Sequence, residues 1–137
     1  MKIEQYAGEH LTGVDALWRE VFPDDPPWNH AAVAVPAKLA VQPDLFVVAM
    51  EAGTVVGTVM GGYDGHRGWV YALAVKPSHR RQGIAAALMR EIERRLVAAG
   101  CAKINLQVRA SNRQVVDFYR ALGFETEERV SMGKRMS

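Results

Sequence analysis

Apolar side chains recur along this chain with two different periods, which together predict an alternation of strands and helices. Between residues 11 and 22 they lie three and four residues apart, which is typical of an amphipathic helix. From Ile84 to Leu96 an apolar residue falls at every fourth position and charged residues cover the other side, which predicts a second helix. Residues 103–108 alternate between apolar and polar instead, so this segment is predicted to be a strand.

Two more helices are predicted from weaker patterns and from their end signals. Residues 28–41 are predicted to be helical, broken or kinked near Pro36, because proline cannot donate a helix hydrogen bond. A last helix is predicted to start where Ser111 or Asn112 accepts a hydrogen bond from its free N–H groups. Gly123 is placed to end that helix.

Apolar runs between turn signals supply the strands of the predicted fold. They are residues 1–6, 45–50, 54–60, 69–75, 103–108, 124–129 and 130–135, with a glycine-rich turn at 61–68. The consecutive hairpins and the intervening helices predict an α/β (α+β) fold. It is a mixed, mainly antiparallel sheet of six to seven strands, flanked by about four helices.

Length and composition restrict the class of protein. The chain has 137 residues, so we expect residues 1–137 to form a single domain. Hydrophobic residues make up 49% and charged residues 23%, as in globular proteins, and no apolar run approaches the roughly 20 residues of a membrane helix. The first residues lack a secretion signal and the single cysteine, Cys101, cannot form an internal disulfide, so a cytoplasmic location is predicted. A net charge of +2 is too small to indicate nucleic acid binding.

Positive charge and a glycine are concentrated at the junction between the strand at 69–75 and the helix that follows. The junction reads Lys76-Pro77-Ser78-His79-Arg80-Arg81-Gln82-Gly83. Backbone N–H groups at a helix start have no partner within the helix, and the helix dipole attracts negative charge there. Gly83 lacks the Cβ that would hold a phosphate away. The junction therefore predicts a site for a phosphate-bearing ligand, although it matches neither a nucleotide-hydrolase loop nor a dinucleotide fingerprint.

Two motifs resemble the GNAT acetyltransferase superfamily in sequence, order and spacing. The first is Arg80-x-x-Gly83-x-Ala85, which is similar to that superfamily's acetyl-CoA pyrophosphate loop. The second is Asn112-x-x-Val115-x-x-Phe118-Tyr119-x-x-Leu122-Gly123-Phe124, which is similar to its later helix. The resemblance covers residues 45–128, and the run 56–68 further resembles the small bacterial YpeA-type members.

The resemblance implies an acetyl-CoA-dependent N-acetyltransferase that moves the acetyl group directly to a primary amine in a ternary complex. In the family the sheet parts after its fourth strand, and the pantetheine arm of the cofactor pairs there with exposed backbone. The cofactor-binding residues so implied are Leu73, Ala74 and Val75, through main-chain groups, with Arg80, Arg81, Gln82, Gly83, Ile84 and Ala85. An oxyanion donor is expected from backbone near Leu73, and Tyr119 is expected to give a proton to the leaving thiolate. Asn112 contacts the cofactor, caps the helix or does both, and no metal is implied.

The sequence leaves the identity of the general base open. Many family members place a glutamate on the fourth strand, whereas this chain has Trp-Val-Tyr-Ala-Leu at residues 69–73. Either the base comes from elsewhere, with Asp64, His66 and Glu20 as candidates, or the amine loses its proton through water. A histidine such as His66 can act as a base, although it also suits an ordinary turn. Asp64 and His66 are candidates for acceptor contact as well.

The acceptor is expected to be a small-molecule or peptide amine. The family commonly lines its acceptor cleft with the segment between the first two strands, so Asp24, Asp25 and Trp28 are candidates for acceptor contact. An ordinary capping loop with a core-facing tryptophan explains these three residues equally well. A monomer or homodimer is expected, with neither a membrane nor a nucleic acid as partner. The main alternative is a catalytically silent module that binds acyl-CoA, which the missing glutamate favours and the presence of Tyr119 disfavours.

Overall fold

A computed structural model describes residues 1–136, and the chain divides into two compact units, residues 1–107 and the residues from Val108 onward. The helices within the described residues are α1 (Leu11–Val21), α2 (Ala31–Val41), α3 (Ile84–Ala98) and α4 (Arg113–Ala121). The strands are β1 (Lys2–Gln5), β2 (Phe46–Glu51), β3 (Thr54–Tyr63), β4 (Gly68–Val75) and β5 (Ile104–Leu106). Every helix in residues 1–136 is too short or too polar to cross a lipid bilayer.

The first unit is built on a five-stranded mixed sheet whose order follows the chain, β1-β2-β3-β4-β5. The first four strands pair antiparallel, and β5 pairs with β4 in parallel. This last pairing begins at Gly68 opposite Ile104 and ends at Val70 opposite Leu106. The rest of β4, Tyr71 to Val75, runs on past the end of β5. The predicted mixed sheet that parts after its fourth strand is therefore confirmed.

Helix α3 packs closely on one face of β3, and small residues on the strand make room for it. A Cβ built on Gly57 would lie 2.8 Å from a methyl of Leu88, and one on Gly61 would lie 2.9 Å from Ile92. Because neighbouring strand residues point to opposite faces, Thr58 and Met60 face the other way, toward α1. The buried residues of that second layer are Tyr6, Val14, Leu17, Trp18, Ala31, Val35, Phe46, Val48, Val55, Met60 and Ala74. The sheet of the first unit thus carries a helix layer on each face.

The predicted turn at residues 61–68 is wrong in its extent. Strand β3 continues through Gly61 to Tyr63, and the turn itself covers only residues 64–67. The side chain of Gln42 bonds both the N–H and the C=O of Tyr63, which extends the ordered backbone. Gly61 is therefore needed for the approach of α3 rather than for a turn.

Helix α2 is not broken at Pro36, which lies inside a continuous helix. The interruption predicted for this segment comes earlier, where the extended backbone of His30 separates a short 3-10 turn, Pro27–Asn29, from α2. Pro36 removes one backbone hydrogen bond, but the burial of Ala31 and Val35 against the core, in the part of α2 before the proline, stabilises the helix.

The predicted final hairpin at 124–129 and 130–135 is also wrong, because neither segment of this second unit forms a strand. Within residues 1–136 the sheet therefore has five strands rather than six to seven, while the prediction of about four helices is confirmed. Val130 and Met132 are 88% and 90% exposed. Apolar residues that bury nothing contribute little to strand formation, and a hairpin without a packed face is marginal in water.

A lysine is buried in the helix layer beside β4. Lys38 on α2 is 6% exposed, donates a hydrogen bond to the carbonyl oxygen of Gly61, and lies 5.5 Å from the ring centroid of Tyr71. Burial disfavours the ammonium form and lowers the pKa of Lys38 to about 8. Below that pH the folded protein contains a charge that is costly to bury.

This burial predicts a difference in the pH dependence of stability between the parent protein and the Lys38→Met variant. Between about pH 8 and the unfolded lysine pKa near 10.4, the unfolded chain holds more protons than the folded one, so stability increases with pH. We expect the unfolding free energy of the parent to gain on the order of 2 kcal/mol relative to Lys38→Met across this window. Urea unfolding at pH 7.5, 9 and 10.5 measures the gain. The exposed Lys134→Met variant is the control and should follow the parent, and equal slopes for all three proteins would contradict the prediction.

Candidate active site

The loop between β4 and α3 turns the chain sharply at two residues with positive φ. After β4 ends, the N–H of Lys76 donates to the carbonyl oxygen of Val56 at 2.8 Å, which fixes the start of the loop. Arg81 has φ +63° and Gly83, the N-cap of α3, has φ +79°. Glycine adopts the second conformation without strain. The predicted helix start at Gly83 is confirmed.

The space and the charges at this helix start suit an anionic ligand. A Cβ on Gly83 would meet no atom within 4 Å, so the surface there is open. The N–H groups of the first turn of α3 point toward this opening, and residues 1–136 supply no hydrogen-bond acceptor for those of residues 84–86. Arg80 and Arg81 are exposed and form no ion pair among the described residues, whereas Lys76 lies 3.5 Å from Glu20. The loop thus offers free amides and two free cations to a diphosphate.

A β-bulge interrupts β4 just before this loop. Thr58 lies opposite Ala74 and Met60 lies opposite Tyr71, so one β3 residue faces two β4 residues, Ala72 and Leu73. Ala72 has φ +54°, which is costly for a residue with a Cβ. The bulge redirects the peptide between Ala72 and Leu73, in the part of β4 that extends beyond β5.

Two residues that the sequence analysis did not select support the bulge. The hydroxyl of Thr58 donates to the carbonyl oxygen of Ala72 at 2.9 Å, and Trp18 Nε1 donates to the same hydroxyl at 2.9 Å. Thr58 is fully buried and Trp18 is 5% exposed. A threonine within the apolar segment 55–60 was the only sign in the sequence, and only the packing of α1 on β3 explains it.

A cavity of about 350 Å³ lies beside Trp18, between α1, the loop that follows it and the start of α2. Its lining includes Asp15, Phe22, Asp25 and His30. Asp15 is paired with Arg19 at 2.9 Å, and the backbone carbonyl oxygen of Asp25 lies 3.0 Å from the His30 ring. The cavity has an apolar wall and carries two carboxylates and the guanidinium of Arg19.

The other acceptor and base candidates are distributed over the first unit. Asp24 and Trp28 lie on the exposed loop next to Asp25 but do not line the cavity. Asp64 and His66 lie in the β3–β4 turn, and the bulge lies about 13 Å along β4 from the strand's first residue, Gly68, at roughly 3.3 Å per residue. Backbone N–H groups of Arg67 and His66 bond the Asp64 carboxylate and lower its pKa.

Of the three base candidates, the structure brings only Glu20 to the loop end of β4, through its ion pair with Lys76. His66 stays beside Asp64 at the other end of the strand, where its N–H bonds the Asp64 carboxylate. Within residues 1–136, no three His, Cys, Asp or Glu side chains are grouped closely enough to hold a metal ion.

The second unit holds Asn112 and Tyr119 on α4. Asn112 is the N-cap, and its side chain accepts a hydrogen bond from the N–H of Val115 at 3.4 Å, so the capping prediction is confirmed. Tyr119 is 9% exposed, with its ring in edge contact with Phe118 and Phe124. Burial raises the pKa of Tyr119 to about 12, and no hydrogen bond to its hydroxyl is found in the described chain. The phenol is thus protonated at neutral pH and not tied to another group.

A mixed sheet that parts after β4, followed by a glycine-containing basic loop at a helix start, defines an α/β protein with free backbone amides at the start of α3. The model of the acetyltransferase (GNAT) family matches residues 11–124. The chain therefore belongs to the GNAT acetyltransferase family, for which acetyl-CoA is the typical acetyl donor.

Relatives of known name agree with this assignment. An acetyltransferase of Pectobacterium atrosepticum is 48% identical over 136 residues, which cover 99% of this chain and 96% of the relative. An acetyltransferase of Sodalis glossinidius is 50% identical over 111 residues, covering 80% of this chain and 78% of the relative. Among solved structures, AAC(6')-Iy in complex with a CoA-based bisubstrate analogue has a TM-score of 0.78 at 23% identity, covering 99% of this chain and 98% of that chain. This last likeness shows the shared fold.

Proposed function

We propose that this chain transfers an acetyl group from the thioester of acetyl-CoA to a primary amine by direct attack in a ternary complex. The observation that carries the proposal is the arrangement along one continuous segment. The bulge at Ala72 and Leu73, the end of β4 that runs on past β5 and the amide-rich loop before α3 follow each other within residues 72–85. A ligand with a diphosphate at one end and a reactive carbonyl at the other fits this order.

We also propose a cytoplasmic location, because reducing conditions there suit the free thiol of Cys101.

In this proposal the loop residues bind the diphosphate of acetyl-CoA, and residues of β4 orient its extended arm. Backbone N–H groups of Gln82, Gly83, Ile84 and Ala85 donate to the diphosphate, and Arg80 and Arg81 neutralise it. Main-chain groups of Leu73, Ala74 and Val75 pair with an extended ligand arm, as an added strand would. Asn112 contacts the cofactor in addition to its cap. Bound acetyl-CoA supplies the activated acetyl carbonyl.

The transfer forms one bond and breaks another. The neutral amine attacks the carbonyl carbon, the new C–N bond forms and the C–S bond breaks, with the electron pair leaving on sulfur. The N–H of Leu73 stabilises the negative charge that develops on the carbonyl oxygen, since an N–H fixed in advance needs no reorganisation. Tyr119 donates its phenolic proton to the departing thiolate, because the phenol carries its proton at neutral pH.

The proton of the attacking amine leaves through Glu20 or through water. Glu20 lies on α1 at the loop end of β4, and 47% of its side chain is exposed. A carboxylate in that position can accept a proton directly or through one water. Asp64 is a poorer base, because its lowered pKa makes its carboxylate less basic.

The cavity beside Trp18 suits a cationic amine acceptor. Its apolar wall can cover a hydrocarbon chain, and Asp15 and Asp25 favour a positively charged group. The carboxylate of Asp25 forms no ion pair within residues 1–136, while that of Asp15 is shared with Arg19. Asp25 is therefore the better partner for the charge of the acceptor.

Release of free CoA tests the proposal directly. The protein is mixed with acetyl-CoA and a panel of diamines, amino acids, aminoglycosides and short peptides, and free thiol is measured with time. We expect thiol release that depends on one class of amine, with the acetylated amine confirmed by mass spectrometry. Tight binding of acetyl-CoA without release across the panel would instead support the silent acyl-CoA-binding module.

The Asp25→Asn variant should weaken the cationic acceptor without affecting acetyl-CoA. Removal of one partly exposed carboxylate near an ammonium should raise the KM of a cationic amine about fivefold, and added salt should reduce the difference. The matched control is Asp24→Asn, one residue away on the exposed side of the loop. Equal KM values for the two variants would remove Asp25 from acceptor binding.

A further inference from the structure

The buried hydrogen bonds beneath the β4 bulge connect α1 with the peptide that carries the proposed oxyanion donor. They run from Trp18 Nε1 to Thr58 Oγ1 and from Thr58 Oγ1 to the carbonyl oxygen of Ala72, each at 2.9 Å. The carbonyl of Ala72 and the N–H of Leu73 belong to one planar trans peptide, so they point in opposite directions. A donor that holds the carbonyl on the α1 side of the sheet therefore fixes the direction of the N–H.

We propose that Thr58, held by Trp18, is a positioning residue for acetyl transfer: its hydroxyl fixes the Ala72–Leu73 peptide and aims the Leu73 N–H at the developing oxyanion. This inference rests on the proposed function. Thr58 does not contact a substrate, because it is completely buried between β3 and α1.

The strain in the bulge explains why such a restraint is needed. Ala72 has φ +54°, a conformation that costs a residue with a Cβ roughly 1–2 kcal/mol. A regular β4 would remove this strain and would turn the peptide back into the ladder with β3. The bond from Thr58 counteracts that relaxation, because an unpaired buried carbonyl is also costly.

The hydrogen bonds of Thr58 to Trp18 and Ala72 also make the Leu73 N–H a stronger donor, in addition to fixing its direction. Hydrogen bonds linked in series polarise one another, and here the indole N–H, the hydroxyl and the peptide form one series. A carbonyl that accepts a hydrogen bond makes the N–H of its own peptide a better donor. Trp18 also lines the acceptor cavity, so one indole both bounds the amine site and orients Thr58.

Isosteric substitutions at Thr58 test the inference through kinetics. In Thr58→Val the shape is kept and the hydroxyl is lost, and we expect kcat to fall about tenfold or more, because loss of one oxyanion donor costs on the order of a hundredfold. The KM of acetyl-CoA should change less than about threefold, since the loop is untouched. Thr58→Ser keeps the hydroxyl but loses a methyl group from the core, so it should be less stable yet retain kcat within about threefold.

The exposed Thr54→Val on the same strand is the control for the loss of a hydroxyl. All assays are made at least 15 °C below the Tm of the least stable variant. Thr58 has no positioning role if the kcat of Thr58→Val equals that of the parent. The same holds if its kcat falls only by the factor by which its KM rises. Absence of turnover in the parent protein would contradict the proposed function instead.

A spectroscopic measurement keeps the inference testable without turnover. The chain has three tryptophans, so indole N–H signals are easily resolved in a ¹⁵N–¹H spectrum of the free protein. Thr58→Val should change the chemical shifts of both the Trp18 indole signal and the Leu73 amide signal. Thr58→Ser should change each of them by only a small fraction of the change seen in Thr58→Val. An unmoved Leu73 amide in Thr58→Val would show that the hydroxyl does not control this peptide and would overturn the inference.

Discussion

Gly83→Glu should raise the Kd of acetyl-CoA at least a hundredfold, which corresponds to about 2.7 kcal/mol of lost binding free energy. A glutamate here would place a carboxylate where the loop presents free amides, and its side chain would occupy the space left open for the ligand. The protein itself offers no steric obstacle, because a Cβ at Gly83 meets no atom within 4 Å. Folding should lose only the roughly 1–2 kcal/mol that a positive φ costs a residue with a Cβ. Isothermal titration gives the affinity, and a thermal melt gives the stability.

Gly65→Glu is a matched control for this substitution. Gly65 has φ +90°, and a Cβ there also meets no atom within 4 Å, but it lies in the β3–β4 turn. The Gly65→Glu variant should therefore have the same backbone strain and the same added charge while binding acetyl-CoA with the Kd of the parent. Gly83→Ala has the strain without the charge, so its Kd for acetyl-CoA should lie between those of Gly65→Glu and Gly83→Glu. Undiminished affinity in Gly83→Glu would mean that the diphosphate binds elsewhere.

The loop between β4 and α3 and the long helices could be predicted because their determinants are local. Residues 80–85 are contiguous, so the free amides of this loop need only the helix start at Gly83 to form. Helices α1 and α3 each bury one apolar stripe, which a period of three to four residues reveals directly. Gly61 lacked such a signal, because glycine marks a turn in one context and a close helix approach in another. Only the position of Ile92 on α3 distinguishes the two.

The bulge and the cavity beside Trp18 could not be predicted for a different reason. The bulge assembles residues from distant parts of the chain, Trp18, Thr58 and Ala72, whose hydrogen bonds exist only after α1 packs on β3. The cavity is lined by residues between 15 and 32 and exists only once the start of α2 lies beside α1. Asp24 and Asp25 were both candidates for acceptor contact, and the sequence of two adjacent aspartates does not indicate which of them lines a cavity. The YpeA-type subgroup and the single-domain organisation stay predictions.

Tyr119→Phe should lower kcat about a hundredfold and leave the KM of acetyl-CoA within about threefold, since general acid catalysis typically contributes at least this factor. The substitution removes one oxygen and keeps the ring, so the edge contacts with Phe118 and Phe124 at 5.1 and 5.7 Å should persist. Because residues 1–136 offer no hydrogen bond to the phenol, its loss leaves no partner unpaired. Tyr63→Phe is the matched control, because its hydroxyl bonds the carbonyl oxygen of Gly100. That variant should turn over normally.

The pH dependence of this loss separates proton donation from packing. Burial raises the pKa of Tyr119 to about 12, so the phenol keeps its proton throughout an assay range of pH 7 to 10. The ratio of parent to Tyr119→Phe kcat should therefore stay constant over that range, whatever the amine acceptor does as it loses its own proton. A ratio that declines toward unity between pH 9 and 10 would indicate a tyrosine with an ordinary pKa. A ratio of one at every pH would remove Tyr119 from the chemistry and leave the thiolate to take its proton from water.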